Sequence, residues 1–293
     1  MSTISMELVK KLRDKTQVGM MDCKKALEQA NGDFEQAVEI LRKKGAAVAA
    51  KRAENVTNHG RIESFVSADS MVGVLVETAC ETDFSANTDA MKQFVIDVAE
   101  HVAQKNSASV ETLMAESFAK NTKISVQHLL DELVAKICEN TKINRFVRFA
   151  VTGNGLIHTY IHPGSTVGVM VELASDKDIR QQQDALRTIA KDICMQIAVT
   201  NPVCVAPENI DADIVAKERA IAEEQLKTSG KPANVIEKII QGKLEKFYQD
   251  ACLIRQPFIK NDKITVQQYI ADATKGLGLT ITVKQFKRFA IGR

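Results

Sequence analysis

Residues 60 to 104 of this 293-residue chain, set against residues 155 to 199 without a gap, agree at about a third of their positions. "GRIESFVSADSMVGVLVETACETDF" lies over "GLIHTYIHPGSTVGVMVELASDKDI", and the identities include Gly60/Gly155, Gly73/Gly168, Glu77/Glu172 and Asp83/Asp178. Each copy must then fold on the same plan: a strand, a turn, a valine-rich second strand, a short polar connection and an amphipathic helix. The helices carry Phe94, Val95, Val98 and Val102 in one copy and Ile189, Ile193 and Ile197 in the other. Two copies at so long a period argue against a solenoid and for two α+β subdomains. Beyond residue 199 the copies are expected to diverge.

The flanking segments read differently. Ile4, Leu8 and Leu12, then Met20, Cys23, Leu27 and Ala30, then Phe34, Ala37, Val38 and Leu41 recur at helical spacing, which predicts a compact three-helix unit over 1–45. Asp33 is its candidate N-cap, Gly45 its C-terminal stop, and the alanine-rich stretch that follows suits a helical extension or a linker. The first copy continues with helical segments around 110–118 and 125–139 and a third strand in "NRFVRFAVTG". The second continues with helical runs over 208–227 and 233–251, joined by a turn at Gly230–Pro232, and ends on a matching strand in "ITVKQFKRFAIG". On the first arm Ile210, Ile214 and Ile221 share a face; the second carries Val235, Ile236, Ile239, Ile240, Leu244 and Phe247. Such an arm either packs on the domain or pairs with another chain. The division predicted is 1–55, 56–152, 153–205 with 252–293, and 206–251.

Composition closes several routes. A net charge of +2 excludes a uniformly basic surface, and the aromatics are not interleaved with basic residues, so no direct nucleic-acid contact is expected. No apolar run is long enough to span a bilayer and the N-terminus lacks a signal-peptide core, so the cytoplasm is the default address and no membrane partner is expected. Six scattered cysteines without a Cys-x-x-Cys pair read as reduced, mostly buried thiols. His158 and His162 fall on a predicted strand, where four residues span about 13 Å, too far to share one metal ion. "TSGKPA" and "TGNGLIH" each lack the residues a phosphate-binding loop needs. No catalytic constellation, metal site or cofactor is therefore expected. The lysines of the N-terminal unit (Lys10, Lys11, Lys24, Lys25, Lys43 and Lys44) sit beside acids and read as a solvated face.

"RDKTQVGMMDCKKALEQANGDFEQAVEILRKKG" at 13–45, "ETDFSAN" at 81–87, "KICENTKINRF" at 136–146 and "RQPF" at 255–258 together resemble the bacterial elongation factor Ts family over nearly the whole chain. The resemblance implies a ubiquitin-associated-like three-helix domain, two homologous α+β core subdomains with antiparallel sheets, and an inserted antiparallel helical hairpin, a coiled-coil arm able to form a homodimer. It implies guanine-nucleotide exchange on elongation factor Tu, a binding function without an active site. Thr82, Asp83, Phe84 and Ser85 would then reach the partner's magnesium and phosphate site. Arg13, Met20 and Met21, together with Ile137 and Cys138, would touch its GTPase domain, and His162 its third domain. Gln17 and Cys138 stand where the family usually has glycine. The family's C-terminal helix would follow Arg293, so that contact is expected to be absent or reduced.

The residues alone leave roles open. Phe84 aligns with Ile179 and could cap the core in both copies or be held out as a wedge for a partner. Asp83 and Asp178 could cap the following helix, and Asp83 could instead meet the partner. Met20 and Met21 read by themselves as core. A non-catalytic scaffold built on the three-helix unit, or an enzyme with a dispersed site, are the other function classes.

Overall fold

The computed structural model describes residues 4–16, 18–52, 54–226 and 232–292, so Gln17, Gly230 and Arg293 lie outside it. Three helices open the chain: α1 (Met6–Thr16), α2 (Met20–Gln29) and α3 (Phe34–Arg52). They close on Val9, Leu12, Cys23, Leu27, Ala37 and Leu41. Asp33 caps α3 as expected, its carboxylate accepting the Gln36 amide at 2.9 Å. Gly45 does not stop the helix. α3 runs on for seven residues past it, because Gly45 faces another helix at a distance only glycine permits: a Cβ there would stand 2.9 Å from both the Ala135 Cβ and the Asp131 carbonyl oxygen. The lysine-rich face is threaded with ion pairs such as Lys15–Glu35, Lys24–Glu28 and Lys44–Asp22, consistent with a solvated surface.

The mixed α+β remainder holds two antiparallel three-stranded sheets. One comprises β1 (His59–Val66), β2 (Val72–Cys80) and β3 (Thr141–Ala150). Its helices are a one-turn α4 (Asp83–Ala86), α5 (Asp89–Lys105), α6 (Val110–Ala115) and α7 (Val126–Ile137). The other comprises β4 (Gly155–Ile161), β5 (Val167–Ser175) and a last strand, with α8 (Gln183–Thr200), α9 (Ala212–Leu226) and α10 (Ala233–Ala251) between. A small hairpin, β6 (Pro257–Phe258) and β7 (Asn261–Thr265), leads into α11 (Val266–Lys275) and that last strand, β8 (Ile281–Ala290). The sheets lie face to face over Ile62, Leu75, Phe149, Ile157, Met170 and Phe289. Their outer faces pack under α5, α6 and α7 on one side and under α8 and α11 on the other.

The repeat's glycines have a steric reason. A Cβ on Gly60 would fall 2.0 Å from the Thr78 carbonyl oxygen, and one on Gly155 would fall 2.2 Å from that of Leu173. Gly73 and Gly168 let the opposite sheet's Ile157 and Ile62 close in. Across the interface equivalent positions answer one another: Ile62 N–H donates to Ser165 O and Ile157 N–H to Ser70 O, both at 2.8 Å. On the axis between them Ser64 and Thr159, the same position in the two copies, share a hydrogen bond of 2.9 Å.

The copies diverge after residue 199 as expected, through α9 and α10, which only the second half carries, but not for good. The correspondence resumes with the offset grown from 95 to 140, α9 and α10 being the extra length. Val126 N–H donates to Glu116 O, and Val266 N–H donates to Gln256 O, both at 3.0 Å. Lys120 reaches Asp97 at 2.7 Å and Lys260 reaches Asp192 at 2.6 Å. Buried His101, bonded to Glu116 at 2.8 Å, is matched by Gln196, bonded to Gln256 at 3.1 Å. The change in side-chain chemistry hid the match.

α9 and α10 pack on one another through Ala222, Leu226 and Ile240. Ile214 and Ile221, read as sharing a face, stay exposed. The packed face is displaced from theirs by one residue, about 100° around the helix, because small Ala222 admits the neighbouring helix. Among the described residues, no helix is long and apolar enough to cross a membrane.

Candidate functional site

The segment Thr82 to Ser85 follows β2 directly and turns through α4, which the sequence pattern did not foresee. Thr82, not Asp83, is the N-cap: its hydroxyl accepts the Ser85 amide at 3.2 Å. Asp83 occupies the first turn with its side chain exposed. Its counterpart Asp178 caps no helix either, its carboxylate taking the Arg180 amide and guanidinium instead. The shared-cap reading of these aspartates is thereby corrected. Ser85 is buried, and Phe84 is held out, 83% exposed. Ile179, at the same position in the other half, is only 5% exposed and lies in the second core.

What fixes Thr82 comes from far along the chain. Glu139 accepts the Thr82 amide at 3.0 Å and its hydroxyl at 2.7 Å, a two-point grip by one carboxylate. Bonds to a charged acceptor are worth about 1.5–3 kcal/mol each when shielded from water, so the grip makes α4 a set turn rather than a floppy one. Glu139 is aimed by the residue before it. Cys138 ends α7 in the left-handed conformation, φ 53°, with its N–H on the Val134 carbonyl at 2.8 Å. The other half has no such grip, since Leu279 stands where Glu139 does. Glu139 is the residue that sequence reasoning missed; the Glu139/Leu279 difference is visible only once the offset of 140 is known.

Glu81 adds a second tie. Its carboxylate accepts the Asn140 amide at 2.5 Å, the Asn55 side chain at 3.1 Å and Arg52 at 3.2 Å. The Asn140 amide, with Asn55 and Arg52 after it, holds the Glu81 carboxyl below the usual carboxylate range. Cys80 beneath is pushed up to about 11, mainly by burial and next by Glu139.

The remaining predicted contact residues divide. Ile137 is half-buried against the first core and Cys138 is exposed, both adjoining Glu139. Arg13 is exposed on α1, Met21 is 64% exposed, and Met20 packs partly into the helical unit's core. That unit docks on α7 through Gly45 and through Arg42, 3.0 Å from Glu132. The network therefore joins three of the predicted segments. His162 stands apart on the other half, just past β4, exposed, its ring nitrogen 3.0 Å from the Tyr160 hydroxyl. His158 lies on β4, as expected, and burial, then Lys191 and Arg187, pull its pKa down. Among the described residues no three His, Cys, Asp or Glu side chains are grouped to hold a metal ion.

A rigid scaffold that fixes one turn by two carboxylates, and spends it on presenting a single aromatic ring to solvent, defines a protein that works by docking on a partner. The description "Elongation factor TS" fits residues 81–293 of this chain. An elongation factor Ts from Trichlorobacter lovleyi is 45% identical over 97% of this chain and 91% of its own length. Those of Clostridium kluyveri and Clostridium perfringens are 39% and 41% identical over 99% of this chain and 93% of their own. The chain belongs to the elongation factor Ts family.

Proposed function

We propose that this protein is a guanine-nucleotide exchange factor for elongation factor Tu, acting in translation elongation in the cytoplasm, by binding and without an active site of its own. The observation that carries the site assignment is Phe84: a phenylalanine 83% exposed at the tip of a clamped turn. Burying it against a partner is worth about 1.5–3 kcal/mol, or one to two decades in an equilibrium.

An exchange factor needs only to favour the partner conformation in which nucleotide is poorly held. By reciprocity, whatever affinity it removes from the nucleotide, the nucleotide removes from it. Bound magnesium is among the largest local charges in a phosphate site, so dislodging it removes a major electrostatic attraction. In this reading Phe84 wedges between partner side chains and Asp83, the neighbouring acid, biases hydrogen bonding there. Thr82 and Ser85 hold the turn. Arg13, Met20 and Met21 on one side, and Ile137 and Cys138 on the other, widen the same docking face. His162 makes a separate contact with another part of elongation factor Tu.

The domain reading belongs to the same proposal: a ubiquitin-associated-like unit with linker at 1–55, homologous core subdomains at 56–152 and at 153–205 with 252–293, and an antiparallel coiled-coil arm at 206–251. Ile214, Ile221 and Val235, exposed on that arm, favour a second copy as its partner. Sedimentation of the pure protein tests this, a concentration-independent monomer counting against it.

The exchange function itself is tested by the release of labelled GDP from purified elongation factor Tu. Catalytic amounts of the protein should speed release, and an unchanged rate would refute the assignment.

A further inference from the structure

The root of the α9–α10 arm holds two thiols in contact. Cys204 precedes the arm and Cys252 follows it, and their sulfurs stand 3.7 Å apart. The two residues form a parallel β-bridge, flanked by Val203 N–H to Ala251 O at 2.8 Å and Leu253 N–H to Cys204 O at 2.9 Å. Bridged backbones lie about 4.8 Å apart, inside the Cα separation of about 4.4–6.8 Å that a disulfide spans. The sulfurs of Cys23, Cys80, Cys138 and Cys194 each sit against a carbonyl oxygen and contact no second sulfur among the described residues, whereas Cys204, 3.3 Å from the Ala206 carbonyl oxygen, also meets Cys252. Cys252 is fully buried, whereas Cys204 is part-exposed on the rim of a cleft beside Asn201–Val205 and Lys284–Arg288.

We propose that Cys204 and Cys252 are an oxidant-responsive modification site, closing to a disulfide that staples the root of the arm. With hydrogen peroxide as oxidant, the Cys204 sulfur attacks one peroxide oxygen, the O–O bond breaks, the other oxygen leaves as water, and Cys204 becomes a sulfenic acid. The Cys252 sulfur then attacks the Cys204 sulfur, the S–O bond breaks, and a second water leaves. Two electrons pass from the two sulfurs to one peroxide, and both thiol protons end in water. Rotation about the two Cα–Cβ bonds brings the sulfurs to bonding distance while the flanking backbone bonds stay in place. Burial raises both thiols, Cys252 to about 12, so closure is slow at neutral pH and accelerates as pH rises.

The inference does not depend on the exchange reading, and its test uses the full chain alone. The protein is treated with hydrogen peroxide, remaining thiols are alkylated, and the peptides are weighed with and without dithiothreitol. The expected product is a reducible link between the Cys204 and Cys252 peptides, lighter by two hydrogens, formed faster at higher pH and absent from Cys204→Ser. Amide exchange at Val203, Leu253 and Ile254 should slow in the oxidised protein. If Cys204 and Cys252 remain alkylatable after Cys138 is consumed, or are recovered only as sulfinic acids or in links to other cysteines, the proposal is overturned.

Discussion

Phe84 and Ile179 occupy one position in two matching halves and have opposite surroundings: the first is 83% exposed, the second 5%. The comparison is an internal control. Backbone plan and preceding aspartate are common to both, so the exposure of Phe84 is not what the architecture demands of that place. It is what the Glu139 grip and α4 add to one side. Replacing Phe84 by alanine should therefore leave the thermal midpoint nearly unchanged, while GDP release falls by about one to two decades. A variant as active as the parent protein would sink the wedge.

Glu139 holds Thr82 by two hydrogen bonds, to its amide and its hydroxyl. Glu139→Gln keeps one acceptor and should be mildly impaired. Glu139→Leu, which copies the other half, frees both Thr82 donors and should cost about tenfold or more in exchange. Faster amide exchange at Ser85 and Ala86, without global unfolding, is the accompanying sign; unchanged protection there would show that α4 stands by itself.

Cys138 carries a side chain at a left-handed helix cap, where an L-residue other than glycine is strained by about 1–2 kcal/mol. Glycine relieves that but costs about 0.5–1 kcal/mol of extra chain entropy. Cys138→Gly should raise the denaturant midpoint by the equivalent of about 0.5–1 kcal/mol with an unaltered m-value. A lower midpoint would contradict the account.

His101 accepts the Ala119 amide on Nδ1 at 3.0 Å and so donates from Nε2 to Glu116. Gln196 does the same work in the other half, accepting the Ile259 amide at 2.8 Å and donating to Gln256. His101→Gln should thus be tolerated within about 1 kcal/mol, whereas His101→Leu leaves the Ala119 amide without its acceptor at about 1–3 kcal/mol, Glu116 keeping the Ser107 hydroxyl. Equal loss in the two variants would show that shape, not bonding, matters there.

The Glu81 carboxyl is lower in the folded protein than the usual value of about 4.3. Its contribution is therefore complete above that value and is lost as pH falls through the lower folded one. Acid titration followed by circular dichroism should show a shallower loss in Glu81→Gln, with the tie from α3 to Asn140 already cut at neutral pH. Superimposable acid limbs would remove Glu81 from the linkage.

How far the sequence could be read depended on which physical demand each residue answers. Gly60, Gly73, Gly155 and Gly168 were legible because a Cβ at any of them would strike backbone or a core side chain, and both copies had to solve the problem alike. Gly45 was misread because a helix stop and a close helix crossing ask for the same missing Cβ, and one sequence does not say which. Beyond the matching last strands, the stretch of the repeat that precedes them was hidden because its polar pairs changed type, His101–Glu116 to Gln196–Gln256, while keeping their geometry. Glu139 was not readable at all: its partner Thr82 lies 57 residues away, and no periodicity links a carboxylate to a distant hydroxyl.

Ser64 and Thr159 meet across the seam between the halves, each facing its own equivalent. In a two-fold dimer only residues on the axis do that. A dimer of separate chains must carry every alteration twice, on both sides of its axis. Here the two sides are one polypeptide, and that obligation is gone: an aromatic tip can be raised on one side and a helical arm inserted on the other. The covalent link between the halves converts a symmetric pair into an asymmetric instrument.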